Sequence, residues 1–289
     1  MKNGFLIVRN NKMKTIFFSL ILCYLIFCQS CMRMRMTPKE TKTFFKTSKT
    51  AYVDSSIDIN GYTIHYIETG KKDASTLFFV HGSPGSWDAY KDYLKDSLLL
   101  SKYRMIAIDR IGFGYSNFGK AENLKTNTFI IEKFVKQTSN GKPIYLIGHS
   151  LGGPTIVQMA AEQPADYAGL IILAGSVDPK AETPENWRPI IMAKPLRYFI
   201  PGALRPSNDE CWWLKSSLYE LEPKLENITS KVIIIHGTKD QLVPYSNVGF
   251  LRRELVNAKT LKVISIKDAN HFIPWTHFKE IRDVLYQLE

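Results

Sequence analysis

Six short apolar runs, at residues 76–80, 104–108, 144–147, 170–173, 232–235 and 261–266, recur along the chain with helix-length segments between them. Runs of four to six apolar residues predict strands buried on both faces, since a strand with one wet face would alternate. Buried strands separated by helices pair in parallel, because each helix carries the chain back across the sheet. The pattern therefore predicts an α/β fold, with a mostly parallel central sheet covered by helices on both faces. Ahead of it, residues 56–59 and 62–67 alternate and meet at Asn60-Gly61, a two-residue hairpin signal. At 289 residues with 45% apolar content, the chain has material for one large α/β domain or two small ones.

The third run leads into Gly148-His149-Ser150-Leu151-Gly152, and residues 152–161 read as a helix. Gly-x-Ser-x-Gly between strand and helix predicts a sharp turn that holds a serine hydroxyl clear of the sheet. Glycines are needed because neighbouring Cβ atoms would strike the strand and helix, and the serine itself takes strained backbone angles. Ser150 is thus a candidate nucleophile. A neutral serine is a weak one and needs an adjacent base. His149 would point elsewhere on such a turn and reads as a packing or gating residue.

The alternation breaks between Gly175 and Lys231. Seven prolines fall in this interval, which argues against one long helix. It also carries Trp187, Trp212 and Trp213. A long insertion at this point is more often functional than a plain loop. A small cap over about residues 177–230 is expected. Trp87, His149 and the three cap tryptophans are candidate pocket residues, although each tryptophan reads equally well as part of the cap's own core.

The net charge is +11, but residues 1–30 hold +4 of it and residues 31–51 a further +5, leaving +2 for residues 52–289. A nearly neutral body gives no support to nucleic-acid binding. The basic segment instead fits the neighbourhood of a membrane. Lys12 and Lys14 precede an apolar run of 13 residues, Ile16 to Cys28, which is short for a spanning helix of about 20. The pattern fits a signal peptide or membrane-anchor segment over residues 1–31, with Met13 as an alternative start. Ser30-Cys31 resembles a bacterial lipoprotein signal, in which Cys31 becomes the lipidated terminus, although Cys28 and Gln29 depart from the usual residues. Residues 32–51, rich in Thr and Lys, read as a basic tether. Export and membrane association, facing the periplasm or the cell exterior, are expected. Cys211 is the one cysteine of the body, so no internal disulfide can form there; it reads as a packed cap residue.

Three further motifs follow predicted strands. They are His81-Gly82-Ser83-Pro84-Gly85-Ser86-Trp87, Asp109-Arg110-Ile111-Gly112-Phe113-Gly114-Tyr115-Ser116, and the pair Gly237-Thr238-Lys239-Asp240-Gln241-Leu242-Val243-Pro244 and Asp268-Ala269-Asn270-His271-Phe272. A dinucleotide loop would need a third glycine where Asn117 stands, so the Gly112/Gly114 pair does not make one. With the Ser150 elbow, these motifs resemble the α/β-hydrolase family, serine-nucleophile branch with a small cap, over roughly residues 55–289. Asn270 replaces the family's usual glycine, a mild change because asparagine tolerates left-handed backbone angles. The resemblance implies Ser150 as nucleophile, His271 as base and Asp240 as the acid that orients it, in the chain order of this fold. It implies an oxyanion hole from the Ser83 and Leu151 amides, and structural roles for His81, Asp109 and Arg110. Asp178, after the preceding strand, and Asp268 are rival acids. His65, His236 and His277 read as surface or packing residues. No metal-ligand spacing stands out, and no cofactor is expected.

The chemistry so implied is hydrolysis of a small ester or acyl substrate through an acyl-enzyme. A serine argues against the epoxide hydrolases and dehalogenases of this fold, which use an aspartate. The elbow lacks the tryptophan that follows serine in prolyl aminopeptidases. Carbon–carbon bond hydrolases and acyltransferases share the same residues, and a non-catalytic binding lipoprotein on this scaffold is the alternative from another class.

Overall fold

The computed structural model describes residues 12–24, 32–183 and 185–288. Among these, eight strands build one sheet: β1 (Tyr52–Ile59), β2 (Tyr62–Gly70), β3 (Thr76–Val80), β4 (Arg104–Ile108), β5 (Ile144–His149), β6 (Gly169–Leu173), β7 (Lys231–Gly237) and β8 (Thr260–Ile266). Their order is β1-β2-β4-β3-β5-β6-β7-β8. β1 and β2 form the expected hairpin. Ile59 pairs with Tyr62, and Asn60 and Gly61 both take positive φ, 54° and 81°, as a type I′ turn requires. β2 also pairs antiparallel with β4, and every other pairing is parallel.

Successive side chains of a strand face opposite sides, so the inner strands feed two cores. In β3, Phe78 and Val80 enter one core, while Leu77 and Phe79 enter the other. The longer helices of the body are α1 (Pro38–Thr47), α2 (Leu124–Thr138), α3 (Gly152–Glu162), α4 (Leu204–Leu221), α5 (Ser246–Glu254) and α6 (Phe278–Tyr286). Ile131 of α2, Ile156 of α3, Leu218 of α4 and Leu251 of α5 pack into the first core. Phe45 of α1 with Ile281 and Leu285 of α6 pack into the second. Both faces are covered, which is why the inner strands are mostly apolar.

Residues 32–51, expected to be a tether, are instead folded onto the body. Thr37 and Glu40 close a capping box around the start of α1, with Pro38 in the first turn. Phe45 is 1% exposed and stacks on Tyr52 and Trp87, with ring centroids 4.3 and 5.9 Å apart. Upstream, Met32 O accepts from Ala203 N at 2.9 Å, and the Arg35 guanidinium lies 3.7 Å from the Tyr115 ring centre. The composition misleads because one face of a short helix needs few apolar residues to dock.

Residues 12–24 are helical, with Ile16, Phe17, Phe18, Leu20 and Leu22 exposed. Tyr24 donates to Phe199 O at 3.2 Å and its ring stacks on Phe199. Among the described residues no helix is long and apolar enough to cross a membrane. Cys31 lies outside the described residues.

Parallel register brings the loops after β3 to β8 out along one edge of the sheet. Val80 pairs with Gly148 and Leu173 with His149, so the residue-81 loop, Ser150 and the residue-174 turn emerge side by side. Chain direction across the sheet reverses between β4-β3 and β5, the place where α/β sheets leave a crevice. The β6–β7 connection carries the cap. It is broken as its prolines require, yet the 18-residue α4 fits between Pro206, in its first turn, and Pro223.

Candidate active site

Ser150 sits between the end of β5 and the start of α3 with φ at 54°, a left-handed angle that is costly for a residue with a Cβ. The turn is held by Ser150 N–H donating to Leu173 O at 3.0 Å and Gly153 N–H donating to Ser150 O at 2.9 Å. The elbow glycines answer to space rather than to φ. A Cβ on Gly148 would stand 2.3 Å from Gly152 O, and one on Gly152 would stand 2.2 Å from Val80 O. Ser150 is half-buried, and among the described residues its hydroxyl has no hydrogen-bond partner.

The loop after β3 passes directly over this elbow, with a Cβ on Gly82 only 2.9 Å from Ser150 Cβ. Neither the Ser83 nor the Leu151 amide is engaged elsewhere among the described residues. The loop is braced from beneath. His81 Nδ1 donates to Gly82 O at 2.6 Å, and its Nε2 accepts from Arg110 N–H at 3.0 Å. Burial, with Arg110 beside it, pushes the His81 imidazole far down from its ordinary value, so the ring is neutral and serves the loop's shape. Asp109 accepts from Trp87 N–H at 2.7 Å and Tyr115 N–H at 2.8 Å, and its Oδ2 lies 2.8 Å from His65 Nδ1.

At the far side of the same edge, His271 Nδ1 lies 2.7 Å from Asp240 Oδ2. Asp240 Oδ1 accepts the Leu242 and Val243 amides, each at 2.9 Å. Burial opposes ionisation of this carboxyl. Hydrogen bonds from His236, His271 and Val243 N–H outweigh it and hold Asp240 well below the usual carboxylate range. His236, which the sequence suggested as a surface or packing residue, is buried 3.4 Å from Asp240 Oδ2 and donates from the same nitrogen to Val243 O at 3.0 Å. The rival acids go elsewhere. Asp178 Oδ1 accepts Lys180 N–H, and Asp268 pairs with Lys239.

His149 is buried between the Gly82 loop and His271. Its Nε2 donates to His271 O at 3.0 Å, and its ring lies 4.7 Å from the His271 ring and 5.2 Å from Trp275. Burial, and then the neighbouring His271, push its imidazole down to about 3. The tryptophans depart from the pocket expectation. Trp87 is 0% exposed, sealed against Phe45 in the second core, so it cannot line an open pocket. Trp187 is 49% exposed with the Arg188 guanidinium 4.8 Å from its ring centre. Trp212 and Trp213 are half-buried on α4. The aromatic ring beside His271 is instead Phe272, with ring centroids 5.9 Å apart, while Trp275 packs on His149 and is tied by Nε1 to Ala89 O at 2.9 Å.

A family model for the alpha/beta hydrolase fold matches residues 75–198. A bacterial membrane phospholipase A of known structure superposes with a TM-score of 0.63 and 16% identity, covering 96% of each chain. The chain has the α/β-hydrolase fold. Among similar proteins, the bifunctional esterase/perhydrolase DCH of Acinetobacter calcoaceticus is 26% identical over 78% of this chain and 96% of its own. The non-heme chloroperoxidase of Streptomyces lividans is 25% identical over 70% of this chain and 88% of its own.

Polar groups that sequence reading missed tie the cap together and tie it to the body. Four successive residues of α4 are buried, and each reaches a different element. Ser207 Oγ accepts from Ser83 Oγ at 2.9 Å, Asn208 meets Arg188, Asp209 meets Arg197, and Glu210 meets Arg110. Cys211 follows them, and burial pushes its thiol up to about 12, which suits packing and not nucleophilic attack. No local spacing announces these pairs, because their members lie 12 to 124 residues apart.

Proposed function

We propose that the protein is a serine hydrolase that cleaves carboxylic esters through an acyl-enzyme on Ser150. The observation that carries this reading is the 2.7 Å contact between His271 Nδ1 and Asp240 Oδ2, on the same sheet edge as a serine held at positive φ. With Nδ1 engaged, His271 keeps Nε2 for proton transfer. Ser150 Oγ attacks the ester carbonyl as Nε2 takes its proton, and the carbonyl electrons become an oxyanion received by the Ser83 and Leu151 amides. Collapse expels the alcohol, which takes the proton from His271. Water then repeats the sequence and frees the acid. Asp240, kept ionised, orients the imidazole and balances its charge. The Acinetobacter calcoaceticus relative named as an esterase supports an ester over other acyl substrates.

We also propose that the N-terminal segment holds this enzyme at a membrane, outside the cytoplasm. The exposed apolar residues of the 12–24 helix and the concentration of positive charge before residue 52 support this. Acylation at Cys31 would supply the anchor. Metabolic fatty-acid labelling that persists unchanged in Cys31→Ala would remove that assignment.

The test of the catalytic reading is labelling by a fluorophosphonate, followed by an acyl-chain-length series of aryl esters. The expected result is one labelled residue, lost in Ser150→Ala, and ester turnover that vanishes with it. A folded protein that reacts with neither reagent would overturn the reading.

A further inference from the structure

The loop over Ser150 is gripped from behind by an arginine that a residue of the cap holds in place. Arg110, immediately after β4, keeps 1% of its side chain exposed, and its partner Glu210 on α4 keeps 4%. The guanidinium works in two directions. Nη1 and Nη2 meet the two Glu210 oxygens at 2.7 and 2.9 Å, a two-pronged ion pair. Nε donates to His81 O at 2.9 Å, and Nη2 donates to Gly82 O at 3.1 Å. Gly82 O also receives His81 Nδ1, so two donors fix this one carbonyl.

A planar trans peptide ties its two ends together, since C=O and N–H point in opposite directions. The Gly82–Ser83 bond is trans. Drawing Gly82 O towards Arg110 therefore turns Ser83 N–H the other way, and Ser150 lies hard against Gly82. We propose that the Arg110–Glu210 pair is a positioning device that aims the Ser83 amide at the oxyanion, so that the cap helix sets the catalytic geometry of the core. The proposal rests on Ser150 being the nucleophile. Ser207, about one turn before Glu210, adds a second link through Ser83 Oγ. Arginine suits the task because its rigid fork serves two backbone carbonyls and one carboxylate together. Removing Glu210 leaves the buried cation without its counter-charge, which forces the guanidinium and the carbonyls it holds to move.

The experiment compares full-length Glu210→Gln, Arg110→Met and Asp209→Asn with the wild type. Asp209 pairs with Arg197 and does not touch the loop, so it reports on general loosening of the cap. Readouts are fluorophosphonate labelling, and kcat and KM for p-nitrophenyl butyrate and its thionoester. A sulfur takes poor hydrogen bonds, so a well-aimed amide favours the oxygen ester. Glu210→Gln and Arg110→Met are expected to lose on the order of 10²-fold in kcat on the oxygen ester, with KM nearly constant. The thionoester should lose far less, and Asp209→Asn should match the wild type. Unchanged kcat in folded Glu210→Gln would overturn the proposal. Equal losses on both esters would also overturn it, by reducing the pair to a structural brace. If Arg110→Met does not fold, the near-isosteric Glu210→Gln decides alone. A wild type that the fluorophosphonate leaves unlabelled would instead remove the serine-hydrolase reading.

Discussion

Single residues of this protein divide into those that hold a charge and those that are kept from holding one. Asp240 is kept ionised by three donors, so Asp240→Asn should leave the fold intact and lower kcat on the order of 10⁴-fold, measured by steady-state ester hydrolysis. His149 is neutral at any pH well above about 3 and contributes no ionisation to the rate profile. His149→Gln should therefore leave the midpoint of the acidic limb where the wild type has it, and a displaced midpoint would contradict this. His65 behaves in the opposite sense. Burial pulls it towards neutrality, but Asp109 and Asp54 on either ring nitrogen win and raise it above its ordinary value. A raised histidine stabilises the fold fully below its unfolded value of about 6.5, and that contribution fades as pH climbs through the folded value. Thermal melts from about pH 6 to about pH 9 should show this loss in the wild type and a flatter profile in His65→Gln.

At the scale of elements, close approach and docking decide more than propensity. The elbow survives because β5 and α3 meet through glycines, so Gly152→Ala must displace the Val80 carbonyl. That variant should melt lower and label poorly with a fluorophosphonate, since the same shift moves Ser150. Strands β3 to β8 were legible in the sequence to within two residues at either end, whereas β1 begins four residues before its expected start and β2 ends three residues after its expected end. Residues 76–80 and 104–108 match β3 and β4, because burial on both faces leaves a mostly apolar signature. Helix α1 was not legible. It docks through Phe45 and Thr41, with Phe44 partly buried beside them, while most of its other residues are polar, a pattern that composition reads as linker. Phe45→Ala should cost about 3–5 kcal/mol in urea melts, whereas a substitution in a tether would cost nothing.

For the whole molecule, the folded body begins earlier than composition suggests, at residues 32–51 rather than after them. A chain lacking residues 1–31 should melt like the full chain and lose binding to anionic lipid vesicles in a flotation assay. A chain lacking residues 1–51 should unfold at a markedly lower temperature, because it loses α1 and the Arg35 contact with Tyr115. Equal melting of the two truncations would restore the tether reading. The cap is joined to the core, since its buried Ser207 and Glu210 pair with the segments that follow β3 and β4.

Sequence alone determined the sheet, the hairpin, the elbow and the motifs that carry Ser150, Asp240 and His271. Each of these is written locally, as an apolar run, a turn-forming dipeptide or a short spacing tied to one strand end. Tertiary structure alone decided what surrounds them. Trp87 went to the core and Trp275 to His149, His236 to Asp240, and Glu210 to an arginine 100 residues away. Those placements depend on which strands lie adjacent and how far each helix is rotated. Such facts arise only when parallel strands from distant parts of the chain are brought to one edge.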